Sequence, residues 1–265
     1  MSFIQFARAH GVEIDPARLY PGEKIKRCGT VEKPRSRNGA YFWDGQRGWV
    51  FNWAGQAQVQ WFNDPAAKPW TEAEKAAWKA QRQAQRIRQE QGYQRAAQQA
   101  HELLRTATPG THSYLHSKGF PQAQGLIAQD GALLIPMRHH QTNALQGVQM
   151  IRWLEDERRH EKKMQPYGMK AAGAVHRMGA NNTFETCLVE GYATGLSVLE
   201  ALRGMGVQAV VLVCFSAHNL TLVAQGVHGR AYVFADHDKS GTGQSAAQQT
   251  GLPWCMSPIE GWDAN

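Results

Sequence analysis

Two aspartates separated by one residue follow an apolar segment near the end of the chain. The segment is YVFA, residues 232–235, and it runs directly into Asp236, with Asp238 two residues later. Residues two apart in extended backbone point to the same side, so we expect the two carboxylates to project together. A second apolar segment, TCLV at residues 186–189, runs directly into Glu190. If the two segments are neighbouring strands, three carboxylates converge.

Three carboxylates in one place favour a divalent cation. Without compensation they repel one another, and one of them would keep its proton at neutral pH. A cation removes this conflict, and hard oxygen ligands suit Mg²⁺ or Mn²⁺, which keep several waters and bind substrate phosphates. Gly191 and Gly241 next to the acids would let backbone, metal and phosphates approach closely. The alternative is that the D-x-D pair caps the following helix or faces solvent.

The segments around these acids predict the sheet that positions them. From residue 185 onwards, ETCLVE, QAVVLVC, AYVFAD and PWCM are strand-like, and helical segments separate them. Continuous apolar strands that alternate with helices are typical of a parallel sheet covered on both faces. Right-handed crossovers bring the carboxyl ends of all such strands to one edge, where ligands of open α/β sheets bind.

The preceding regions have a different character. Residues 1–62 contain a short helix and the strand-like segments KIKRC, GAYFWDG, GWVFNW and QVQWF, with turn signals between them that favour antiparallel hairpins. Residues 71–107 predict a long helix that begins with a capping box, Thr71 with Glu74, and mostly faces solvent. TPGT at residues 108–111 is expected to end this helix.

Composition limits the class of protein. The chain has 265 residues, 42% of them hydrophobic, so it can bury one substantial core or a main domain beside a smaller one. No apolar run reaches the ~20 residues that cross a bilayer, and the N-terminus lacks a signal-peptide pattern; we expect a cytoplasmic protein without a membrane partner. Four scattered cysteines favour reduced core thiols. The net charge of +7 is compatible with a polyanionic partner.

Two motifs resemble the signature motifs of the toprim domain, which bacterial-type primases, topoisomerases and some nucleases share. They are LVEGYATGLSVLEA at residues 188–201 and VFADHDKSGTGQSAA at residues 233–247. The segments LLIPM, LQGVQMI and EKKMQPYGMKAAGAVHRMG before them resemble the basic strand-rich part of the catalytic core in plasmid and phage primases. SAHNL at 216–220 resembles a loop of that group, and the final GWDAN resembles its D-x-N motif. The likeness covers about residues 111–265.

The resemblance implies a fold and a division into domains. The expected class is α+β, with a C-terminal α/β toprim domain that has a central parallel sheet. The expected domains are an N-terminal antiparallel hairpin module at 1–65 that resembles a zinc ribbon without ligands, a long polar connecting helix at 66–110, a basic strand-rich part of the primase core at 111–180, and the toprim domain at 181–265.

The resemblance also implies a primase that makes short RNA primers on single-stranded DNA by two-metal nucleotidyl transfer. Glu190 would act as general acid/base or metal ligand, Asp236 and Asp238 would bind Mg²⁺ or Mn²⁺, and Asp263 would be a further acid near the metal. Residues expected to contact nucleotide or template are Arg152, Lys162, Lys163, Lys170, Arg177, Gly191, Asn219 and Lys239. The alternative for the basic residues is that they are solvated surface charges. Expected partners are the template, nucleoside triphosphates and a replicative helicase, fused or separate, because the chain can be the N-terminal piece of a longer protein.

Arginines and tryptophans interleave in the first region. Aromatic rings beside cations can stack single-stranded bases, so Arg35, Arg37, Arg47, Trp49 and Trp53 are candidate contacts to single-stranded DNA. The alternative is that these tryptophans form a small hairpin core. A structural zinc site needs four nitrogen or sulfur ligands, and Cys28 is the only cysteine here, so no zinc is expected.

One departure from the family pattern limits the comparison with cellular replicative primases. Those enzymes carry an additional acid a few residues after the glutamate, where this chain has Ala193, Thr194 and Gly195. Two other functions stay open: a metal-dependent nuclease that uses the same acids with water as the attacking group, and a non-catalytic protein that binds single-stranded DNA or assists replication.

Overall fold

Helices and strands fall into two groups along the chain, and each group forms its own unit. The computed structural model describes residues 1–22, 24–55, 58–64, 71–180 and 183–261. Its internal contacts separate Met1–Gln81 from Arg82–Asn265. The boundary falls inside a long helix, α2 (Glu72–Arg105).

Among the described residues before α2 there are one α-helix, one 3-10 turn and five short strands. They are α1 (Phe3–Ala9), β1 (Val12–Glu13), a 3-10 turn (Pro16–Arg18), β2 (Lys26–Thr30), β3 (Gly39–Trp43), β4 (Arg47–Asn52) and β5 (Gln60–Asn63).

After α2, the part of the chain that the structure describes forms ten strands and four helices. They are β6 (Thr108–Gly110), α3 (Ser113–Ser117), β7 (Gly125–Ile127), β8 (Leu133–His139), β9 (Leu145–Leu154), β10 (Arg159–Gln165), β11 (Ala174–Gly179), β12 (Glu185–Val189), α4 (Tyr192–Gly204), β13 (Val210–Val213), α5 (Ala217–Ala224), β14 (Arg230–Ala235), α6 (Thr242–Thr250) and β15 (Trp254–Met256).

In the first unit, the described residues form a five-stranded antiparallel sheet with its strands in sequence order, which confirms the expected hairpins. The turn between β3 and β4 forms because the Asp44 carboxylate accepts hydrogen bonds from the N–H groups of Gln46 and Arg47. Helix α1 packs Phe3 on one face of the sheet, where its ring stacks on that of Trp43 with centroids 4.6 Å apart. This face holds the core of the unit.

Helix α2 is mostly exposed, as its composition predicts. It begins with the expected capping box: Glu74 accepts from the Thr71 N–H, and the Thr71 hydroxyl accepts from the Glu74 N–H. Only its later turns are packed, with Ala96 and Ala100 buried. The TPGT segment after it does more than end the helix, because Thr108–Gly110 pairs with β7 as strand β6. In the part of the chain that the structure describes, no helix is both long and apolar enough to cross a membrane.

The described residues of the second unit form one mixed sheet of ten strands with helices on its faces, which confirms the α+β class. Along its main path the order is β10-β9-β8-β11-β13-β12-β14-β15, with β6 and β7 attached at β8. Strands β12 to β15 are parallel, and the strands before them are antiparallel. Because β11 pairs with both β8 and β13, the sheet runs without a break across the expected domain boundary near residue 180.

The parallel strands are covered on both faces, which explains their continuous apolar sequences. Helix α4 packs on one face, where Val198 and Leu199 meet Val211 and Val213. Helices α5 and α6 pack on the other face, where Leu220, Val223 and Ala247 meet Leu188 and Val233. Burying both faces leaves the carboxyl edge of the strands as the place where polar side chains can gather.

Four strands of this sheet, β6, β7, β10 and β11, were not expected from the sequence. The segment of residues 158–179 is basic and contains several glycines, yet it forms β10 and β11. Strand β10 is a two-sided polar strand that pairs in register with β9, from Arg159 opposite Leu154 to Gln165 opposite Val148. Its position at the sheet edge explains the polar composition, because an edge strand needs no apolar face on the solvent side.

Candidate active site

Strand order brings two of the predicted acids side by side. Strands β12 and β14 are parallel neighbours, and Val189 lies opposite Phe234 in their register. Glu190 and Asp236 are each the first residue after the end of their strand, and the two strands are adjacent. The chain goes outward from β12 to β13 and then returns past β12 to β14, so these two acids flank a topological switch point. Such points are where open α/β sheets bind ligands.

Glu190 and Asp236 line one polar cavity of about 190 Å³. The other residues that line it are Tyr114, Lys118, Gln149, Lys162, Gly191, Tyr192, Ala193, Thr194 and Phe215. A larger cavity of about 440 Å³ lies over β12, β14 and β15, but its walls are mainly apolar, with Cys187, Leu202 and Phe234 among them. The smaller cavity is therefore the one that combines carboxylates, cations and hydroxyls.

The environment of Glu190 disfavours its ionised form. Burial raises the pKa of the Glu190 carboxyl above its ordinary value, and the charges of Asp236 and Asp238 raise it further, while Lys162 opposes the shift. Two hard oxygen donors that repel each other fit a divalent cation, since its charge would offset the repulsion. Glu190 and Asp236 are the residues that would hold Mg²⁺ or Mn²⁺ here.

Asp238 has a different environment from Asp236. Its carboxylate accepts hydrogen bonds from the Ser240 hydroxyl at 2.5 Å, from the Thr242 N–H at 3.3 Å and from the Gly243 N–H at 3.2 Å. The Ser240 hydrogen bond and then these backbone donors hold the pKa of Asp238 below its ordinary value. Asp238 therefore caps α6, as the alternative reading of the D-x-D pair had it, and its charge still reaches Glu190.

The acids do not form a closed ligand set. Among the described residues, no group of three or more His, Cys, Asp and Glu side chains lies close enough together to hold a metal ion. Asp263, the further acid expected near the metal, lies outside the described residues. Water and substrate oxygens would have to complete the coordination, which is common for Mg²⁺ at phosphate-transfer sites.

Glycine allows the close packing of α6 against the end of β14, but at a different position from the one expected. A side chain at Gly243 would place its Cβ 2.4 Å from the carbonyl oxygen of Asp236, whereas nothing lies within 4 Å of a Cβ at Gly241. Gly241 instead has a φ of +68°, a left-handed conformation that favours glycine. Gly243 permits the close contact with β14, and Gly241 permits the turn.

Two cavity residues that were not expected from the sequence lie on or directly after α3. Tyr114 and Lys118 are four residues apart, so one helical face directs both towards the cavity. The Lys162 ammonium lies 5.0 Å from the centroid of the Tyr114 ring. The i, i+4 spacing of an aromatic and a lysine in HSYLHSKG was the signal that could have identified them. Of the predicted basic residues, Lys162 is the one that lines this cavity.

The other predicted basic residues lie elsewhere. Arg152 is paired with Asp130, and Lys163 with Glu161 at 2.8 Å. Lys170 lies 6.0 Å from the ring centroid of Tyr93. Arg177 on β11 and Lys239 after β14 are exposed. None of these five residues lines the acidic cavity as the described residues define it.

Phe215 also lines the cavity and has a backbone conformation that is rare for its residue type. Its φ is +66°, and its N–H donates a 2.9 Å hydrogen bond to the Glu190 carbonyl. A left-handed φ at an aromatic residue costs free energy, and such residues concentrate at functional sites. This hydrogen bond fixes the chain after β13 against Glu190, whose carboxylate lines the cavity.

Asn219 is buried and occupies its side-chain amide with internal hydrogen bonds. Its Oδ1 accepts from the Gly173 N–H at 2.7 Å, and its Nδ2 donates to the carbonyls of Ala174 at 2.7 Å and Cys214 at 2.8 Å. These bonds join the start of α5 to β11 and to the end of β13. We therefore assign Asn219 a structural role instead of the expected contact to nucleotide.

Replacing Asn219 with alanine should lower the free energy of unfolding by about 2–4 kcal/mol, because three buried backbone groups lose their partner. Urea unfolding followed by circular dichroism measures the change. Thr221→Ala is the control on the same helix. Among the described residues, the Thr221 hydroxyl bonds to the carbonyl one turn earlier, that of Ala217, so its loss should cost much less. Equal unfolding midpoints for Asn219→Ala and wild type would contradict the structural role.

In the first unit, aromatic side chains gather on the sheet face opposite α1. Phe42, Trp49 and Trp61 lie opposite one another across β3, β4 and β5. Trp61 is 61% exposed and Trp53 is 48% exposed. The guanidinium of Arg27, a residue that was not selected from the sequence, lies 3.7 Å from the Trp53 ring centroid. The prediction that these tryptophans form a small hairpin core is therefore right for Trp43 and wrong for Trp53 and Trp61.

The predicted arginines of this unit surround that face unequally. Arg47 opens β4 opposite Asn63, two residues before Trp49 and on the same side of the strand. Arg35 and Arg37 lie in the connection between β2 and β3, and the Arg37 carbonyl accepts a hydrogen bond from Arg27. Arg27 and Arg47 are therefore the arginines that flank the exposed rings.

Neither the family models nor the curated proteins give a match to this chain.

Proposed function

We propose that this chain is a DNA-dependent primase that joins ribonucleotides on a single-stranded template. The observation that carries the proposal is the placement of Glu190 and Asp236 on adjacent strand ends at a topological switch point, beside Lys162. The sequence motifs around both acids, which resemble those of toprim primases, support the same reaction class. The basic net charge of +7 suits a polyanionic template and a triphosphate substrate.

In this reaction a 3′-hydroxyl oxygen forms a bond to the α-phosphorus of a nucleoside triphosphate. The bond from that phosphorus to the pyrophosphate oxygen breaks, and the hydroxyl proton leaves to a base. When bound at Glu190 and Asp236, divalent cations would supply charge neutralisation for the attacking and leaving oxygens. Glu190, whose pKa is raised above its ordinary value by burial, is suited to accept and return a proton.

The remaining cavity residues position the substrate. Lys162 and Lys118 face the two carboxylates from β10 and from the end of α3, so they can offset the charge of phosphate oxygens in the cavity. Asp238 sets the start of α6 and contributes negative charge at Glu190. Its carboxylate retains acceptor capacity for a metal, because each oxygen can accept more than one bond.

Incubation with single-stranded DNA, labelled nucleoside triphosphates and Mg²⁺ or Mn²⁺ tests the proposal. Short RNA products that Asp236→Ala abolishes would support primase activity. Shortened DNA would show a metal-dependent nuclease instead, and DNA binding without either product would show a non-catalytic protein. The last two outcomes both contradict the proposal.

The exposed aromatic face of the first unit is the proposed contact to template bases. Trp61→Ala should weaken binding of labelled oligodeoxythymidylate about ten-fold, since stacking on one aromatic ring contributes about 1–3 kcal/mol per base. Fluorescence anisotropy measures the affinity. Trp78→Ala, which removes an exposed tryptophan of α2 in the same unit, is the matched control and should change little. An equal loss of affinity in both variants would contradict the proposal that this face contacts template bases.

A further inference from the structure

Helix α4 begins at the floor of the acidic cavity without a side-chain cap. Its N-cap is Gly191, which offers no side-chain hydrogen bond. The first intrahelical hydrogen bond donated in this turn runs from the Gly195 N–H to the Gly191 carbonyl. The amides of Tyr192, Ala193 and Thr194 come before it and have no acceptor within their own helix. All three residues line the cavity.

A buried hydroxyl lies at the same place. Thr194 is 1% exposed, and within the described residues its Oγ1 has no hydrogen-bond partner. This oxygen lies towards the helix start, because a Cβ added at Gly191 would be 3.1 Å from it. Buried hydroxyls without a partner are uncommon in folded proteins, since each costs about 1–3 kcal/mol. An oxygen acceptor supplied by a ligand would satisfy it.

The charges around this helix start favour an anion that arrives with cations. Lys118 and Lys162 are in the wall of the cavity, and the positive end of the α4 dipole points into it. Glu190 and Asp236 line the same space, so an isolated anion would be repelled by them. A phosphate group that accompanies a divalent cation meets both requirements, because each part faces charge of the opposite sign.

We propose that the first turn of α4, from Gly191 to Thr194, is a phosphate-binding site. In it, the Thr194 hydroxyl and the backbone N–H groups of this turn donate hydrogen bonds to phosphate oxygens. This inference rests on the proposed nucleotidyl transfer. The phosphate belongs either to the incoming triphosphate or to the template backbone, and both present the same oxygens. A neutral hydroxyl at residue 194 suits this role, whereas an acid there would repel the phosphate.

The test measures binding of ATP and, separately, of labelled oligodeoxythymidylate in the presence of Mg²⁺, each without the other so that no turnover occurs. Thr194→Val should weaken one of them about five- to ten-fold, because one hydrogen bond to a charged oxygen is lost. Thr194→Ser retains the hydroxyl and should bind within two-fold of wild type. Thr194→Asp should bind much more weakly than either.

Thermal unfolding separates this role from a structural one. Because valine removes an unpartnered buried hydroxyl, Thr194→Val should melt at the same temperature as wild type or higher, although its binding is weaker. Thr221→Val on α5 is the matched control and should bind both probes as wild type does. Adenosine, which has no phosphate, should bind Thr194→Val and wild type alike.

The outcomes distinguish the source of the phosphate and the fate of the inference. A loss for ATP alone assigns the site to the triphosphate, and a loss for DNA alone assigns it to the template. Unchanged binding of both probes to folded Thr194→Val, no ATP or DNA binding by wild type, or an equal loss of adenosine binding would each overturn the site. If Thr194 controls binding while primer synthesis is absent, the site stands and the proposed polymerisation fails.

Discussion

Glu190→Gln should lower primer synthesis by at least about two orders of magnitude and at the same time raise the melting temperature of the metal-free protein. The loss of turnover follows because an amide neither accepts the proton nor binds a divalent cation as a carboxylate does. The gain in stability follows because the ionised carboxylate is buried beside Asp236 and Asp238, and the neutral amide is not repelled by them.

The dependence of this gain on pH follows from the raised pKa of Glu190. The folded chain takes up the Glu190 proton at a higher pH than the unfolded chain does. Above the folded pKa the ionised carboxylate therefore destabilises the fold, and this cost disappears as the pH falls through the folded pKa. The difference in melting temperature between Glu190→Gln and wild type should be largest at neutral pH and shrink under acidic conditions.

Glu185→Gln is the matched control for both readouts. Glu185 lies at the other end of β12, where its carboxylate pairs with Arg230 at 3.2 Å. Its replacement should leave primer synthesis near the wild-type level and should not raise the melting temperature. If Glu190→Gln melted below wild type at neutral pH, the crowding of carboxylates described for this cavity would be wrong.

Asp236→Asn should reduce primer synthesis by about three orders of magnitude, which corresponds to about 4 kcal/mol of transition-state stabilisation. Asp236 shares the cavity with Glu190 and lies on the adjacent strand, so its loss removes one of the two donors that would hold a cation. Thermal unfolding with and without Mg²⁺ provides a second readout. Mg²⁺ should raise the melting temperature of wild type and leave that of Asp236→Asn unchanged.

The second aspartate provides a graded comparison. Asp238→Asn should also abolish metal-dependent turnover but retain the fold, at a cost of about 1 kcal/mol because Asp238 caps α6. Ser240→Ala removes the hydroxyl that bonds to Asp238 and to the Thr242 N–H but removes no acid, so it separates the loss of these hydrogen bonds from the loss of the carboxylate. Retained turnover in Asp236→Asn would refute the metal assignment, and retained turnover in Asp238→Asn would reduce that residue to a cap.

The parallel half of the sheet and its acids could be predicted because their signals are local. Apolar strands such as VVLV at 210–213 need both faces buried, and the rule of right-handed crossovers then directs Glu190 and Asp236 to one edge. The register between β12 and β14, which makes these acids neighbours, depends on strand order. Strand order is set by packing across the whole sheet and is not written in either motif.

The antiparallel half was less accessible from sequence for the same physical reason. Strand β10 is polar on both faces, so it lacks the alternation that marks a half-buried strand, and only its pairing with β9 makes it a strand. The contribution of Lys162 could be suggested from its charge, but its selection over Lys163 depends on that pairing. Neighbouring strand residues point to opposite faces, and Lys163 pairs with Glu161 instead.

Asn219 and Asp238 show why a residue type in a motif does not determine its role. Both have side chains that can bind nucleotide or metal. In the structure both side chains form hydrogen bonds with backbone N–H or carbonyl groups of the protein itself. Gly173, which donates to Asn219, lies 46 residues from it in the chain, whereas Gly243, which donates to Asp238, lies 5 residues from it. The first distance makes the Asn219 role invisible to local pattern, whereas helix capping by Asp238 could be anticipated.

Titration of the protein with Mn²⁺, followed by electron paramagnetic resonance of the free ion, tests the shared-cation site most directly. Wild type should remove Mn²⁺ from solution with saturable stoichiometry, Mg²⁺ should compete, and both Glu190→Gln and Asp236→Asn should lose the site while Glu185→Gln keeps it. Wild type that leaves all Mn²⁺ free, or an undiminished site in the folded Asp236→Asn variant, would contradict the account.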